Sequence, residues 1–371
     1  MRVTTIVECR DLDEMTTFFV ERCGGLVESI TPADSPKNVM IRVGDARLCL
    51  RRTDADVPLS LMITERGRTL VETVTAPNGT TVEFRPDGRA LDVPAPVPSL
   101  SIVRATDDFG VGRAGMRYRD LLPDRWGGRF IASHILIPDG GPVPDYVHFH
   151  RIRFQMIFCA RGWVDVVYED QGEPFRLEAG DCVLQPPEIR HRVLASSPGL
   201  EVVEIGCPAE HDTFVEHDIT LPTVAMSPDR LFGGQRFVRH VAADAPRRPW
   251  LVDGLHVRDT GIGAATGGLA GAVVVEAGAA SPEGDGRRPV GVLTHQGEFV
   301  LSVGIAGSAD LLVGDRSPIR LGARDAVAFP PRTRWAWRDW SDDFEMLQVA
   351  LPDAAVVRES GMVGSIPARS D

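Results

Sequence analysis

The chain of 371 residues carries near-average shares of apolar and charged residues and a formal net charge of −12. That length exceeds one compact domain of usual size, so two or three are expected. The acidic excess, with no run concentrating Lys and Arg, excludes a nucleic-acid surface and leaves a small molecule as the expected partner.

No stretch reaches membrane-spanning length and no apolar leader opens the chain, so a cytoplasmic protein without membrane contact is expected. Residues 1–90 form the first block. Val3 to Val7 predicts a strand, and Asp11-Leu12-Asp13-Glu14 predicts a helix start in which Asp11 is the cap. Leu12, Met15, Phe18 and Phe19 share the apolar face of that helix, and Gly24-Gly25 stops it. Strands are predicted at Val39 to Val43 and Ala46 to Leu50 around a Gly44-Asp45 turn, then at Leu59 to Ile63, with a last hairpin marked by Asn78-Gly79. The outcome is a βαβββ module of α+β type.

Arg10-Asp11-Leu12-Asp13, the Phe18-Phe19 pair, Cys23-Gly24-Gly25 and Pro77-Asn78-Gly79-Thr80-Thr81-Val82-Glu83-Phe84 resemble the glyoxalase-like vicinal oxygen chelate family. The resemblance implies a metal held by a His or Glu on the first strand and a Glu on the last. Glu83 matches the last position, but Thr4 stands at the first, and one ligand cannot hold a divalent ion. A metal-free structural or dimerising module is therefore expected. Family members pair two such modules edge to edge, so the resemblance also implies a homodimer.

Residues 91–99 are a linker whose Pro94-Ala95-Pro96-Val97-Pro98 core is too stiff and too poor in donors to continue a sheet. Beyond it the sequence repeats. Gly115-Met116-Arg117-Tyr118-Arg119-Asp120 is echoed by Gly254-Leu255-His256-Val257-Arg258-Asp259, Gly127-Gly128 by Gly267-Gly268, Phe154 to Gly162 by Phe299 to Gly307, and Asp181 through Pro187 by Asp325 through Pro331. The offset stays within 139 to 145 residues. Short strands with frequent turns, such as Trp163 to Tyr168, Asp181 to Gln185, Leu200 to Ile205, Ala326 to Phe329 and Phe344 to Leu351, predict closed all-β barrels. Residues 100–216 and 217–358 are taken as the two barrels and 359–371 as a tail.

In the first copy His148 and His150 alternate on one strand, Gln155 falls on the next and His191 on a later hairpin, so all four can converge on one ion inside a small barrel. Three histidines and an amide in an apolar interior are costly to satisfy without an ion or water to gather them. These residues resemble the cupin superfamily, and the two copies resemble a bicupin of the quercetinase and pirin-like kind. His148, His150, Gln155 and Gly162 match the first family motif, with Gln155 replacing the usual Glu. Gly180, Pro186 and His191 match the second, with Glu188 at the usual Gly position. The implied fold is mainly β, with two jelly-roll barrels in tandem.

In the second copy His295 aligns with His150, but Leu293 stands for His148, Val300 for Gln155 and Trp335 for His191. That barrel is expected to be metal-free, its interior filled by Trp335, Trp337 and Phe329 or shaped for an organic ligand. His134, His211, His217, His240 and His256 lack ligand spacing and are assigned to surface or packing. The six cysteines, Cys9, Cys23, Cys49, Cys159, Cys182 and Cys207, form no Cys-x-x-Cys pair and are read as buried free thiols.

The expected cofactor is one divalent transition metal, Fe²⁺ favoured, with Mn²⁺, Ni²⁺, Zn²⁺ and Cu²⁺ also compatible with imidazole. A neutral ligand set leaves the ion's charge uncompensated and favours an anionic enol, phenol or dicarbonyl. Two reactions fit: a non-haem dioxygenase, which is favoured, and a redox-neutral isomerase, cyclase or lyase using the ion as Lewis acid. A non-catalytic small-molecule-binding barrel is the third reading. Gln185 is the expected hydrogen-bond donor to substrate, and Glu188 and Arg190, just before His191, are candidate acid/base or anion-anchoring groups.

Overall fold

The computed structural model describes residues 3–65, 68, 70–86, 91–106, 108–112, 115–278 and 291–359; the tail beyond Glu359 lies outside the described residues. These fall into two units, residues 1–90 and 91–371. Among the described residues no helix is long and apolar enough to cross a membrane.

In the N-terminal unit the Asp11 side chain accepts from the backbone N–H groups of Asp13 and Glu14, which starts helix Leu12–Cys23, and Gly24 ends it in the left-handed conformation. Leu12, Met15 and Phe19 are fully buried against Val39, Ile41 and Leu50, each contributing about 1.5–3 kcal/mol of burial. The strands run Thr5–Cys9, Ala46–Arg52, Asn38–Val43, Leu26–Thr31 across one sheet, the first pair parallel. The strand Leu26–Thr31 was not predicted, and all six of its residues are exposed, so it carries no alternation to read. A second sheet pairs Ser60–Glu65 with Thr81–Pro86 and Glu72–Thr75. Asn78, at the predicted hairpin, is buried and its amide donates to Glu8 O at 2.9 Å. Glu83 is paired with Arg85.

The second unit contains two sheet sandwiches with one plan. Each has a seven-stranded sheet. In the first the order is Val238–His240, Cys182–Leu184, Phe154–Arg161, Leu200–Cys207, Ile131–Ile137, Arg117–Asp120, Gly110–Val111. In the second it is Ser101–Val103, Ala326–Phe329, Phe299–Ala306, Glu345–Leu351, Gly271–Ala277, Leu255–Asp259, Arg248–Pro249. The outermost strands are exchanged. Ser101–Val103, ahead of the first barrel in the chain, pairs with the second barrel, and Val238–His240, from the second repeat, pairs with the first. Barrel boundaries along the sequence are therefore crossed by one strand in each direction, which covers an edge of each sheet.

The two seven-stranded sheets pack face to face. Phe154, Met156, Phe158 and Val203 of one interdigitate with Phe299, Leu301, Val303 and Val349 of the other in a shared core. Phe130 stacks on Phe299 at 4.1 Å, and Arg129 and Arg153 both pair with Glu298 across the junction. On the same strands Cys159 and Val202, and in the second barrel Val300, Val327 and Met346, face the barrel interiors, where they meet Val164 and Val166 or Leu311 of the opposite sheet. The proline-rich stretch is tied down: Val97 N donates to Trp126 O, Trp126 Nε1 to Ser99 O, and Arg129 to Pro94 O.

All six cysteines are buried and unbridged. Burial pushes up the thiols of Cys9 and Cys23, to about 11, and of Cys159, to about 12, so these three stay protonated and unreactive at neutral pH. Burial also lowers the pKa of His134, His240 and His295. Below the ordinary imidazole value of about 6.5 the unfolded chain then takes up protons that the folded chain does not, so stability falls as pH falls. Urea unfolding of metal-free protein should give a midpoint that declines from about pH 7.5 to about pH 5.5, with a shallower decline in His240→Gln. An unfolding midpoint independent of pH across that window would contradict the burial of neutral imidazoles.

Candidate metal centre

The strand His148–His150 lies in the six-stranded sheet of the first barrel, and His191, which opens strand His191–Ser196, is the direct cross-strand partner of His148. Alternation sends both histidines of the first strand to the same side, and the pairing brings the third beside them. The ligand atoms of His148, His150 and His191 all lie within 4.8 Å of one another. Sharing one ion at about 2.1 Å from each nitrogen would draw the three rings closer together.

Backbone and side-chain oxygens orient the rings. His148 Nδ1–H donates to Tyr146 O at 2.8 Å and His191 Nδ1–H to Ile189 O at 3.0 Å. Because a carbonyl only accepts, both rings are fixed with the proton on Nδ1 and the lone pair on Nε2, the nitrogen a metal takes. His150 Nδ1 shares a hydrogen bond of 2.9 Å with Thr213 Oγ1. The buried Asp145 carboxylate stands 3.6 Å from His148 Nδ1 and accepts from Val193 N at 3.0 Å.

Gln155 faces them from strand Phe154–Arg161 of the other sheet and is 2% exposed. Its Nε2 donates to Glu204 Oε1 at 2.6 Å. Its Oε1 is buried and has no hydrogen-bond partner among the described residues. An amide oxygen left in that condition costs about 1–3 kcal/mol, and a cation beside three imidazoles would remove the cost. The donor set therefore fits a divalent ion: three nitrogens and one amide oxygen, with a carboxylate bonded to the far end of the amide.

These groups line a cavity of about 240 Å³ whose other walls are mostly apolar, among them Ile135, Ile157, Val164, Val166 and Val202. Gln185, His211, Thr213, Tyr118 and Tyr168 also line it. Tyr168 stacks on His191 at 5.4 Å, and burial pushes its phenol pKa up, so it keeps its proton.

No family model and no curated protein matches the sequence. Solved structures do match in fold. An oxalate decarboxylase variant from Bacillus subtilis aligns with TM-score 0.51 at 11% identity, over 72% of this chain and 81% of that one. The oxalate decarboxylase of Lactobacillus farciminis, in a formate complex, aligns with TM-score 0.50 at 14% identity over 72% and 90%. The fold is a double cupin barrel. At such identities the likeness establishes the fold of the cupin pair and nothing of its substrate.

Within this double barrel, His148, His150, Gln155, His191 and Gln185 line the first barrel's cavity. Glu188 and Arg190 do not line it. Glu188 is half exposed, 3.7 Å from Arg151, and adopts φ +62°, which explains why glycine is usual there. Its N–H donates to His150 O, a turn contact repeated in the second cupin by Arg332 N to His295 O. Arg190 stacks over Phe149 and pairs with Glu216 and Glu169. His211, assigned from sequence to surface or packing, instead contacts His150 edge-on at 5.3 Å.

In the second cupin Leu293 is paired with Trp335 as His148 is with His191. Trp335 stacks on Phe329 at 4.1 Å, and His295 Nε2–H donates to Phe329 O at 2.8 Å. Leu293, Val300 and Trp335 pack at three of the four ligand positions, and the fourth holds His295.

Sequence reasoning missed Glu204, which reaches Gln155 across a strand pair, and Asp145, which lies three residues before His148 and is held by Val193 N, because neither belongs to the motif spacing. Titration calorimetry with Mn²⁺ or Co²⁺ should find one site per chain. His191→Ala should weaken it more than about 100-fold, and Glu204→Ala, which frees the amide to rotate, about 10- to 100-fold. Glu188→Gly should leave affinity unchanged. Equal affinity in wild type and His191→Ala would contradict the centre.

Proposed function

We propose that the first cupin barrel is the active site of a metal-dependent enzyme acting on a small molecule that joins an anionic oxygen to an apolar body. The reading rests on one observation: three clustered imidazoles and Gln155, whose oxygen has no hydrogen-bond partner among the described residues, line one apolar-walled cavity. Four protein ligands leave room on an octahedral ion for two further donors. When bound, the ion would supply Lewis-acid and, for Fe²⁺ or Mn²⁺, redox chemistry to an electron-rich substrate.

The chain's own residues shape what enters. Three imidazoles and an amide bring no charge, so an anionic substrate oxygen is favoured, while the Glu204 carboxylate offsets part of that pull from behind Gln155. Isoleucine and valine walls exclude water and favour an aromatic or aliphatic body. Gln185, buried at the cavity wall, is the proposed hydrogen-bond donor to substrate, and protonated Tyr168 stands by as a second. A dioxygenase acting on an enol, phenol or 1,3-dicarbonyl is the reading these features support best.

A redox-neutral lyase is the second reading. It draws support from the shared fold with enzymes described as oxalate decarboxylases, and from Glu204 at the cavity. Oxalate itself has no apolar surface to match these walls.

An oxygen electrode separates the two. Metal-loaded protein given 1,3-dicarbonyls or phenols should consume O₂ with turnover, and His148→Ala should abolish both. Conversion undiminished under argon would replace the dioxygenase with the lyase or isomerase, and tight binding without conversion would remove enzymatic function.

A further inference from the structure

The second cupin has lost three of the four metal-ligand positions but keeps a cavity of its own, of about 440 Å³. It lies against the interior face of strands Leu255–Asp259, Gly271–Ala277 and Glu345–Leu351 and opens to solvent past the exposed Asp259 and Asp353. Cross-strand register makes three of its wall residues, Gly271, Gln348 and Val356, the counterparts of Ile131, Glu204 and Thr213, which line the metal cavity of the first cupin. Val257, a fourth, stands for Tyr118. Two large side chains of the first copy are thus glycine and valine in the second, and the space they vacate is the cavity.

Its polar groups are mostly acceptors. Gln348 is 5% exposed, and its Oε1 has no hydrogen-bond partner among the described residues. Ser302, the cross-strand neighbour of Gln348, leaves its buried Oγ in the same condition. The Asp353 carboxylate lies against Gly263 and Gly271, where a Cβ on either glycine would collide with it, and its Oδ1 accepts from Ala354 N at 2.9 Å. It therefore takes the space that a side chain at the Ile131 position would need. Asp259 Oδ1 accepts from Gly261 N at 2.8 Å. Neither carboxylate has an ion-pair partner among the described residues, and the one cation of the lining, Arg248, is exposed. Trp250, Leu251, Val257 and Val273 complete the wall as apolar surface.

We propose that this cavity binds a small primary amine in its ammonium form, carried on an aromatic or branched aliphatic body. An ammonium group brings three donors and no acceptor, which matches two carboxylates and an amide oxygen that lacks a donor. The apolar body packs on Trp250, Leu251 and Val257. The charge preference is opposite to that of the metal cavity, whose ion and neutral imidazoles favour an anionic oxygen. The second barrel is then a binding site in its own right as well as a support for the first.

Titration calorimetry of the metal-free full chain with 2-phenylethylamine and with 3-phenylpropionate, at neutral pH and constant ionic strength, tests it. The amine should bind saturably at one site per chain, and the carboxylate at least about tenfold more weakly. Asp353→Asn keeps an oxygen for Ala354 N, so it should fold normally, and it should weaken amine binding about tenfold or more. His191→Ala should leave amine affinity unchanged, which separates this site from the metal centre and from the activity proposed there. Absence of saturable amine binding, equal affinity for the two probes, equal affinity in Asp353→Asn, or loss of binding in His191→Ala would each overturn the proposal.

Discussion

A buried amide oxygen must find a donor or a cation, and the account of this protein turns on where Gln155 Oε1 finds one. Glu204 holds the nitrogen end of the amide at 2.6 Å, so the oxygen end cannot rotate away from the interior without breaking that contact. The same logic governs the imidazoles, whose Nδ1 protons are committed to Tyr146 O and Ile189 O. Each polar group is thus oriented by a bond on its outer side, which preorganises the inner side for an ion.

The duplicated barrel serves as an internal control. Both copies keep the strand order, the positive-φ turn at Glu188 and Arg332 and the face-to-face junction. The interiors differ. Where the first copy pairs His148 with His191, the second pairs Leu293 with Trp335 and stacks Phe329 on the indole. One barrel fills these positions mainly with apolar packing, while the other holds a buried polar centre in an apolar wall. The exchanged strands Ser101–Val103 and Val238–His240 make the second barrel part of the scaffold that holds the first.

Much of this was legible in the residues. An i, i+2 histidine pair on a strand has both side chains on one face by geometry alone, and turn glycines and prolines at a steady offset mark a duplication. Those signals located His148, His150, Gln155 and His191 and the mainly β architecture. Other features had no local signal. Glu204 sits within a Val-Val-Glu-Ile-Gly run and reaches Gln155 across a strand pair 49 residues apart in sequence. The exchanged strands are three residues long, below the length at which alternation can be read. Glu188 and Arg190 were attractive because they precede His191, but a left-handed turn carries them to the rim, where ion pairs absorb their charges.

The most direct test is a crystal structure of the protein grown with Mn²⁺, with diffraction recorded to give the anomalous signal of that metal. The account predicts one peak in the first barrel, bonded at about 2.1–2.3 Å to His148, His150 and His191 through Nε2 and to Gln155 through Oε1, with Gln155 Nε2 still on Glu204. A peak elsewhere, or a peak there with Gln155 turned away from it, would contradict the central claim.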